Sequence, residues 1–581
     1  TCISERTPRK MCEVRQPALG QRGGLWPNPP RNEGMPVPSS GTLKRSSRIS
    51  DLIHTGKGNI DFYIMKKANV VVYSEALSKA LSALYAKLLV VLGLAFPVTE
   101  VIANGVPDAY YQGFYLYLYL VSLIFVVFQY VNIMRQKAVS LIIHDYGKNK
   151  VKPKESLSRY GSFYLRLGGI GFGIGSMVYS GLEFGEYFEM TDKCRSIMSV
   201  ITPALRMALT LAQMQFMFLT NKDIEAGSFK LIQRFGFMHM IATNLCEWLY
   251  VLVEETKHEI HHLEHSILAS NGTQHVIDEM PCRRSNIMGA LLQNAAPFLF
   301  PCTIEYSLIA AVILYEMWKE VSFMNKSRNN SVTPEKILHR AALHHFSVDC
   351  SHAHRGLFAG VLVIVLTIIS LIMFFVLANN PTTVTDAIFE VNVCELILYS
   401  LTIIASITAQ IQMRALNYKR KSKAILGLDP FLLILAQTGM FVYCMFSLIG
   451  SHHTVDKMNS VGLTGFFSEF LSLNQTILQT LFIIDAWWRR SNTSEQRRNK
   501  PGRQLVTFLL VANMAMWAIN TLEKNRAEFR PAHLAFYGPW AWTIITHISM
   551  PLAIFYRFHS TICLFEIWKN CFKNKPIYLN V

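Results

Sequence analysis

The sequence predicts an all-α membrane protein with about twelve transmembrane helices, forming two parallel six-helix repeats whose N- and C-termini are cytoplasmic. Composition is the first reason, because 51% of the 581 residues are hydrophobic and only 16% are charged. Soluble domains average about 25% charged residues. The second reason is a series of apolar stretches, and the third is a motif that occurs twice. Together these observations exclude an ordinary soluble domain.

The apolar stretches have the length that a membrane demands. A hydrocarbon core of about 30 Å requires about 20 apolar residues in a helix. Stretches of this kind lie near 76–99, 111–134, 162–187, 196–219, 232–253, 293–318, 355–378, 387–413, 431–451, 463–488, 504–522 and 539–568.

The positive charge follows the predicted topology. The net charge is +17, which by itself is also typical of a nucleic-acid-binding protein. However, about 30 Lys and Arg fall in the connections expected on the cytoplasmic side and about 9 in the external ones, which is the positive-inside pattern. We therefore expect a multi-pass protein of the plasma membrane, with membrane lipids as partners and no nucleic-acid partner.

One helical motif occurs twice in the chain. Pro301, Ile304 and Tyr306 recur 250 positions later, and so do Glu316, Trp318 and Lys319 of the same segment. The second copy consists of Pro551, Ile554, Tyr556, Glu566, Trp568 and Lys569. Because each half has an even number of helices, both enter the membrane in the same direction, and repeats of this kind are typical of transport proteins.

The repeat divides the chain into four parts. Residues 1–57 are polar and rich in Pro and Gly, which predicts a disordered cytoplasmic tail. Residues 58–320 form the predicted N-terminal six-helix domain, and residues 354–581 the C-terminal one with a short tail. The polar segment 321–353 between them is expected to be a cytoplasmic linker.

Polar side chains within the apolar stretches are candidates for a proton pathway or a gate. A charged residue at mid-bilayer costs roughly 2.5–3.5 kcal/mol, so those that persist usually face water or a bundle interior. Glu305 in the first half and His559 in the second are titratable groups near the repeated tyrosines, and Arg557 is a candidate counter-ion. Polar groups between helices also serve as hydrogen-bond partners alone, so a structural role stays open for each. The others are Gln213, Gln215, Asn244 and Tyr306 in the first half, and Gln475, Gln479, Asn513 and Tyr556 in the second.

The longest external connection, about 254–292, contains further candidates. His258, His261, His262 and His265 share one face if the fifth helix continues outward, and such a face can bind Zn²⁺ or sense acid. A solvated helix extension is the alternative. Asn271 begins a glycosylation acceptor triplet on the external side. Cys194 and Cys282 are the cysteines in external loops, so a disulfide between them is one option. No cofactor is predicted.

Several long segments resemble the otopetrin family. They are T-N-L-C-E-W-L-Y-V-L-V-E-E-T from Thr243, F-P-C-T-I-E-Y-S-L-I from Phe300, T-F-L-L-V-A-N-M-A-M-W from Thr507 and F-Y-R-F-H-S from Phe555. The resemblance covers about residues 76–570. It implies a proton-selective channel that extracellular acid opens and zinc modulates. It also implies a homodimer of two-domain subunits around a lipid-filled centre, with sterol among the candidate lipids. The family's polar Gln-Asn-Tyr cluster would correspond to Gln215, Asn244 and Tyr306, and to Gln479, Asn513 and Tyr556.

Other function classes fit the sequence less well. A proton-coupled secondary transporter of the six-plus-six type is the alternative, although the connection H-D-Y-G-K-N-K between helices two and three lacks the expected signature. The sequence contains no Walker loop, so an ATP-driven pump is not indicated. No constellation of histidines or of Ser, His and Asp indicates an enzyme.

Overall fold

Long helices make up almost all of the described chain. The computed structural model describes residues 46–102, 111–146, 162–190, 196–219, 229–270, 287–321, 353–378, 380, 382–418 and 427–572. The first six helices are α1 (Ser46–Ile102), α2 (Gln112–Tyr146), α3 (Phe163–Glu189), α4 (Met198–Phe216), α5 (Lys230–Ser270) and α6 (Ile287–Glu320). We call them the N-terminal helices.

The remaining elements, which we call the C-terminal helices, begin after the central linker. They are α7 (His354–Ala378), α8 (Val384–Met413), α9 (Leu428–Trp487), α10 (Ser494–Asn499), α11 (Arg503–Ile519), α12 (Pro531–Tyr537) and α13 (Pro539–Asn570). A π-helical turn, Asn520–Lys524, continues α11, and a 3₁₀ turn, Ala527–Phe529, follows it. Two short strands, β1 (Asn417–Tyr418) and β2 (Arg489–Arg490), pair antiparallel.

Two boundaries differ from the sequence expectation. Helix α1 begins at Ser46, within the segment 1–57 that the sequence predicts to be a tail. Residues 1–45 and most of the linker, 322–352, lie outside the described residues. The ninth and tenth predicted helices are joined in one helical run, α9.

Helix α9 nevertheless folds back on itself. A straight helix rises about 1.5 Å per residue, so Gln437 and Thr476 would lie far apart in one. Instead, the side chain of Gln437 donates to the carbonyl oxygen of Thr476 at 3.5 Å, and the Cys444 thiol lies 3.6 Å from the Ser472 hydroxyl. The two limbs of α9 are therefore antiparallel, as two membrane helices joined by a turn would be.

The described residues contain 9 helical segments long and apolar enough to cross a membrane. Helices α3 and α4 and the second limb of α9 fall outside that count because they contain buried polar groups, such as Arg166, Arg206 and Gln479, that lower their mean hydropathy. The all-α, multi-pass membrane class is thus confirmed.

Helix α13, which carries the second copy of the repeated motif, lies at the centre. Its most apolar window is 72% buried, whereas that of α7 is 22% buried and so lies at the periphery. Helix α13 packs against α9 and α11 and also against α5, α6 and α3. It therefore joins the C-terminal helices to the N-terminal ones. Close approach to α9 depends on Gly439, where an added Cβ would lie 2.6 Å from the Ser549 carbonyl oxygen.

Candidate functional site

A closed network of amide and hydroxyl groups lies among the C-terminal helices. Gln479 and Asn513 exchange two hydrogen bonds, of 2.9 and 3.0 Å, between α9 and α11. The Tyr556 hydroxyl on α13 lies 2.9 Å from the Thr480 hydroxyl and donates to the Thr476 carbonyl at 3.0 Å. Tyr556 therefore lies beside the linked pair Gln479 and Asn513, and a role of these three side chains in proton conduction stays a prediction.

The N-terminal helices repeat part of this geometry. The Tyr306 hydroxyl donates to the Thr210 carbonyl at 3.2 Å, as Tyr556 does to Thr476. Asn244 donates to the carbonyl four residues earlier at 2.7 Å, and Asn513 makes the same bond at the same length. The two tyrosines and the two asparagines are therefore equivalent in space as well as in sequence.

The glutamine of this N-terminal cluster is Gln213, and the assignment of Gln215 needs correction. Gln479 lies three residues after Thr476, and Gln213 lies three residues after Thr210, so these two glutamines correspond. Gln213 is buried, whereas Gln215 is exposed on another face of α4. Sequence inspection alone could not choose between them, because both lie on one short helix and only its rotation about its axis decides which faces inward.

Glu305 is buried next to Tyr306 on α6. It is 1% exposed, and neither carboxylate oxygen has a hydrogen-bond partner among the described residues. A buried carboxylate without a partner carries a large desolvation cost when charged, so it binds a proton readily or recruits water. This is the behaviour expected of a proton-accepting group within a bundle.

His559 and Arg557 both lie fully buried on α13, in different surroundings. The Nε2 of His559 lies 2.8 Å from the Asp429 carbonyl at the start of α9, and its ring stacks on Phe555. Arg557 donates to the side chain of Gln475 and lies over the ring of Tyr399, with 5.6 Å between Cζ and the ring centroid. His559 thus makes the interhelical bond that a structural histidine makes, while its Nδ1 has no partner among the described residues.

A cluster of titratable groups joins α5 to the C-terminal helices. Glu259 forms an ion pair of 2.7 Å with Nε2 of His547 on α13, and Nδ1 of the same ring lies 3.1 Å from the Thr256 hydroxyl. One turn earlier on α5, Glu255 accepts a 2.8 Å hydrogen bond from Asn525. These side chains, apart from the half-buried Thr256, are buried. The cluster therefore links protonation of buried groups to the contact between the two sets of helices.

Glu528 extends this cluster towards the surface. Its backbone N–H donates to Glu259 at 3.2 Å, and its carboxylate lies 3.2 Å from Nδ1 of His262. Burial raises the pKa of Glu528, but the hydrogen bond from His262, with the charges of His262 and Arg526, brings that pKa below the ordinary value of 4.5. The carboxylate is therefore charged at neutral pH and holds the 3₁₀ turn against α5.

Two buried ion clusters lie within the two sets of helices. Lys524, in the π-helical turn, pairs with Glu395 at 3.1 Å and with Glu469 at 2.8 Å. Among the N-terminal helices, Arg206 pairs with Glu183 and, at 3.0 Å, with Glu247. Each cluster ties together three helices through one cation and two carboxylates.

A sequence profile of the Otopetrin family matches residues 164–280 and 265–558. This chain belongs to the otopetrin family. The match covers the first copy of the repeated motif and the second copy as far as residue 558, so it confirms the resemblance seen in the sequence.

Individual relatives agree with the family match. This otopetrin is 45% identical over 576 residues to the Drosophila melanogaster protein named proton channel OtopLc, an alignment that covers 87% of this chain and 36% of that protein. The chain thus spans about a third of that relative. Mouse proton channel OTOP2 is 22% identical over 70% of this chain and 82% of its own length. Zebrafish proton channel OTOP1 is 19% identical over 86% of this chain and 92% of its own length.

The predicted zinc-binding face stays a prediction. Within the part of this otopetrin that the structure describes, no group of three His, Cys, Asp or Glu is arranged to hold a metal ion. His258 packs edge-on against Phe300, whereas His262 pairs with Glu528. The side chain of His265 lies outside the described residues, as do Asn271, Cys194 and Cys282.

Sequence reasoning missed the α5–α13 cluster of this otopetrin. Glu255, Glu259 and His262 are spaced by four and three residues, which places them on one helical face. The spacing of the histidines indicates a candidate site in that segment. The carboxylates on the same face are absent from the sequence-based prediction. The partner groups, His547 and Asn525, lie almost 300 residues away and had no local signal.

Proposed function

We propose that this otopetrin is a proton-selective channel of the plasma membrane that extracellular acid opens. Relatives named proton channels match it over most of its length. The observation that carries the proposal is the α5–α13 cluster, because its buried, hydrogen-bonded histidine and carboxylates can hold and release protons where the two sets of helices meet. Such groups can also bias the contact between helices when their charge changes.

The proposal includes the architecture predicted from the repeat. Residues 58–320 and 354–581 form two six-helix domains with cytoplasmic termini, and two subunits form a dimer around lipid, with sterol among its lipids. The equivalent bonds of Tyr306 and Tyr556 support the repeat. Glu305 acts as a proton acceptor. The side chains of Gln213, Asn244 and Tyr306 lie around the path of the proton. Glycosylation of Asn271 and zinc modulation through the external histidines belong to the same proposal.

We expect an acid step outside the cell to evoke a current carried by protons. Its reversal potential should move by about 59 mV per pH unit, since a tenfold gradient is worth about 1.4 kcal/mol and 100 mV acting on one charge about 2.3 kcal/mol. Whole-cell recording with the proton gradient varied at constant salt measures this shift. A reversal potential that follows Na⁺, K⁺ or Cl⁻, or a saturable uptake coupled to a solute, would instead favour a transporter.

Replacing Glu528 by Gln should make the current less dependent on acid. The pKa of Glu528 is lowered in the folded protein, so the contribution of its carboxylate to the α5 contact is present above the ordinary pKa and is lost as pH falls through the lowered one. The pKa of its partner His262 is raised, so the contribution of that imidazole is present below its ordinary pKa and is lost as pH rises through the raised one. The variant lacks both contributions at every pH. Its current at about pH 5 to 7 should exceed that of the wild type, and the difference should disappear at lower pH.

The exposed Glu495 on α10 provides the matched control for this experiment. Glu495→Gln removes the same charge without touching the α5 contact, so its pH dependence should equal that of the wild type. If Glu528→Gln also follows the wild-type curve at equal surface expression, the Glu528 contact has no part in opening.

A further inference from the structure

The guanidinium of Arg557 contacts no carboxylate among the described residues, and the nearby Glu395 and Glu469 pair with Lys524 instead. Among the described residues its contacts are Gln475, Thr476 and the rings of Tyr399 and Tyr556, and no ion pair joins it to an acid there. Arg206 on α4 differs, because two carboxylates neutralise it. An arginine keeps its charge at any physiological pH, so Arg557 is a fixed positive charge.

Arg557 also sets the direction of a chain of hydrogen bonds. Because a guanidinium only donates, Gln475 must present its oxygen to Arg557 and its NH₂ elsewhere. Its NH₂ donates to the Gln479 oxygen at 2.9 Å, and Gln479 in turn donates to Asn513 at 2.9 Å. Asn513 donates to the Leu509 carbonyl at 2.7 Å. Every link in this chain is an amide, which neither gains nor loses a proton near neutral pH.

The first copy of the repeat lacks the first two groups of this chain. Ser307 occupies the position of Arg557. Leu209 occupies the position of Gln475, because each lies one residue before the equivalent threonine, Thr210 or Thr476. Both are buried. The NH₂ of Gln213 has no partner among the described residues, and Glu305 lies where the second copy has Phe555. The N-terminal cluster thus has a buried carboxylate without a hydrogen-bond partner in the described part of the chain and lacks the cation of the C-terminal cluster.

We propose that Arg557 closes the interior of the C-terminal helices to protons and that conduction depends on the N-terminal helices. A fixed positive charge in a site of low dielectric repels an entering proton, and the amide chain offers no group to relay one. The carboxylate of Glu305 has the opposite effect. The two repeats are therefore unequal, and Arg557 and Ser307 determine which of them conducts. This inference rests on the proposed function.

Exchanging the residues at the two equivalent positions tests the inference. Ser307→Arg places the cation among the N-terminal helices, and Ser307→Met supplies similar length without charge. We expect the acid-evoked current of Ser307→Arg to be lower than that of Ser307→Met by about tenfold or more at equal surface expression. Arg557→Gln removes the cation and keeps a hydrogen-bonding side chain, and its current should exceed that of the wild type.

Two results would overturn the inference. One is equal current in Ser307→Arg and Ser307→Met. The other is a loss of about tenfold in Arg557→Gln that Arg557→Lys does not share, because conduction would then require the positive charge. Both comparisons presuppose that the wild type conducts protons. A wild type without an acid-evoked proton current rejects the proposed function itself, so the two failures are distinguishable.

Discussion

Glu305→Gln should reduce the acid-evoked proton current by about a hundredfold, within the range that positioned proton-transfer groups contribute. The carboxylate is 1% exposed and has no hydrogen-bond partner among the described residues. Glutamine keeps the size and polarity of the side chain but cannot accept and release a proton. Whole-cell current normalised to surface expression measures the effect.

Glu316 provides a control on the same helix. It lies at the end of α6, partly exposed and paired with Lys319 at 2.9 Å, so Glu316→Gln should conduct as the wild type does. A Glu305→Gln channel with normal surface expression, wild-type current and unchanged pH dependence would show that Glu305 serves packing only.

Lys524→Met should lower the free energy of unfolding by about 3–5 kcal/mol, the usual cost of removing one partner from a buried ion cluster. Lys524 is 2% exposed, and its removal deprives Glu395 and Glu469 of the ammonium group that both contact. Thermal unfolding of the detergent-solubilised protein, followed by fluorescence-detected size exclusion, measures the change.

Lys319→Met is the matched control for that measurement. Its ion pair with Glu316 lies at the surface, with the Lys319 side chain 49% exposed, and surface pairs contribute only about 0–1 kcal/mol. Its unfolding temperature should therefore stay near that of the wild type. Equal unfolding temperatures for Lys524→Met and Lys319→Met would show that the buried cluster contributes little to stability.

Composition and the repeat were sufficient to predict the fold class, because the membrane requires long apolar helices and satisfied backbone groups. The positions of Asn244, Tyr306, Asn513 and Tyr556 in their clusters also followed from the repeat. The rotation of each helix did not follow, so Gln215 was chosen in place of Gln213. Contacts between distant segments, such as Glu259 with His547, had no signal in a single sequence.

The π-helical turn also escaped prediction. A π turn contains one more residue per turn than the α-helix around it, so it changes the direction of every side chain beyond it. Lys524 ends that turn and reaches both Glu395 and Glu469. If the segment were α-helical throughout, the side chain of Lys524 would point in a different direction.

The unequal lengths of two equivalent helices bear on how the protein arose. Helix α5 has 41 residues and continues well past Asn244, whereas α11, which carries the equivalent Asn513, has 17. The C-terminal part of α5, with Glu255 and Glu259, extends to the turns that follow the shorter helix. If the halves descend from a duplicated ancestor, a change in the length of one copy allowed the C-terminal part of α5 to contact these turns. The halves are then no longer interchangeable, and a chain built from two N-terminal copies would lack a partner for the C-terminal part of α5.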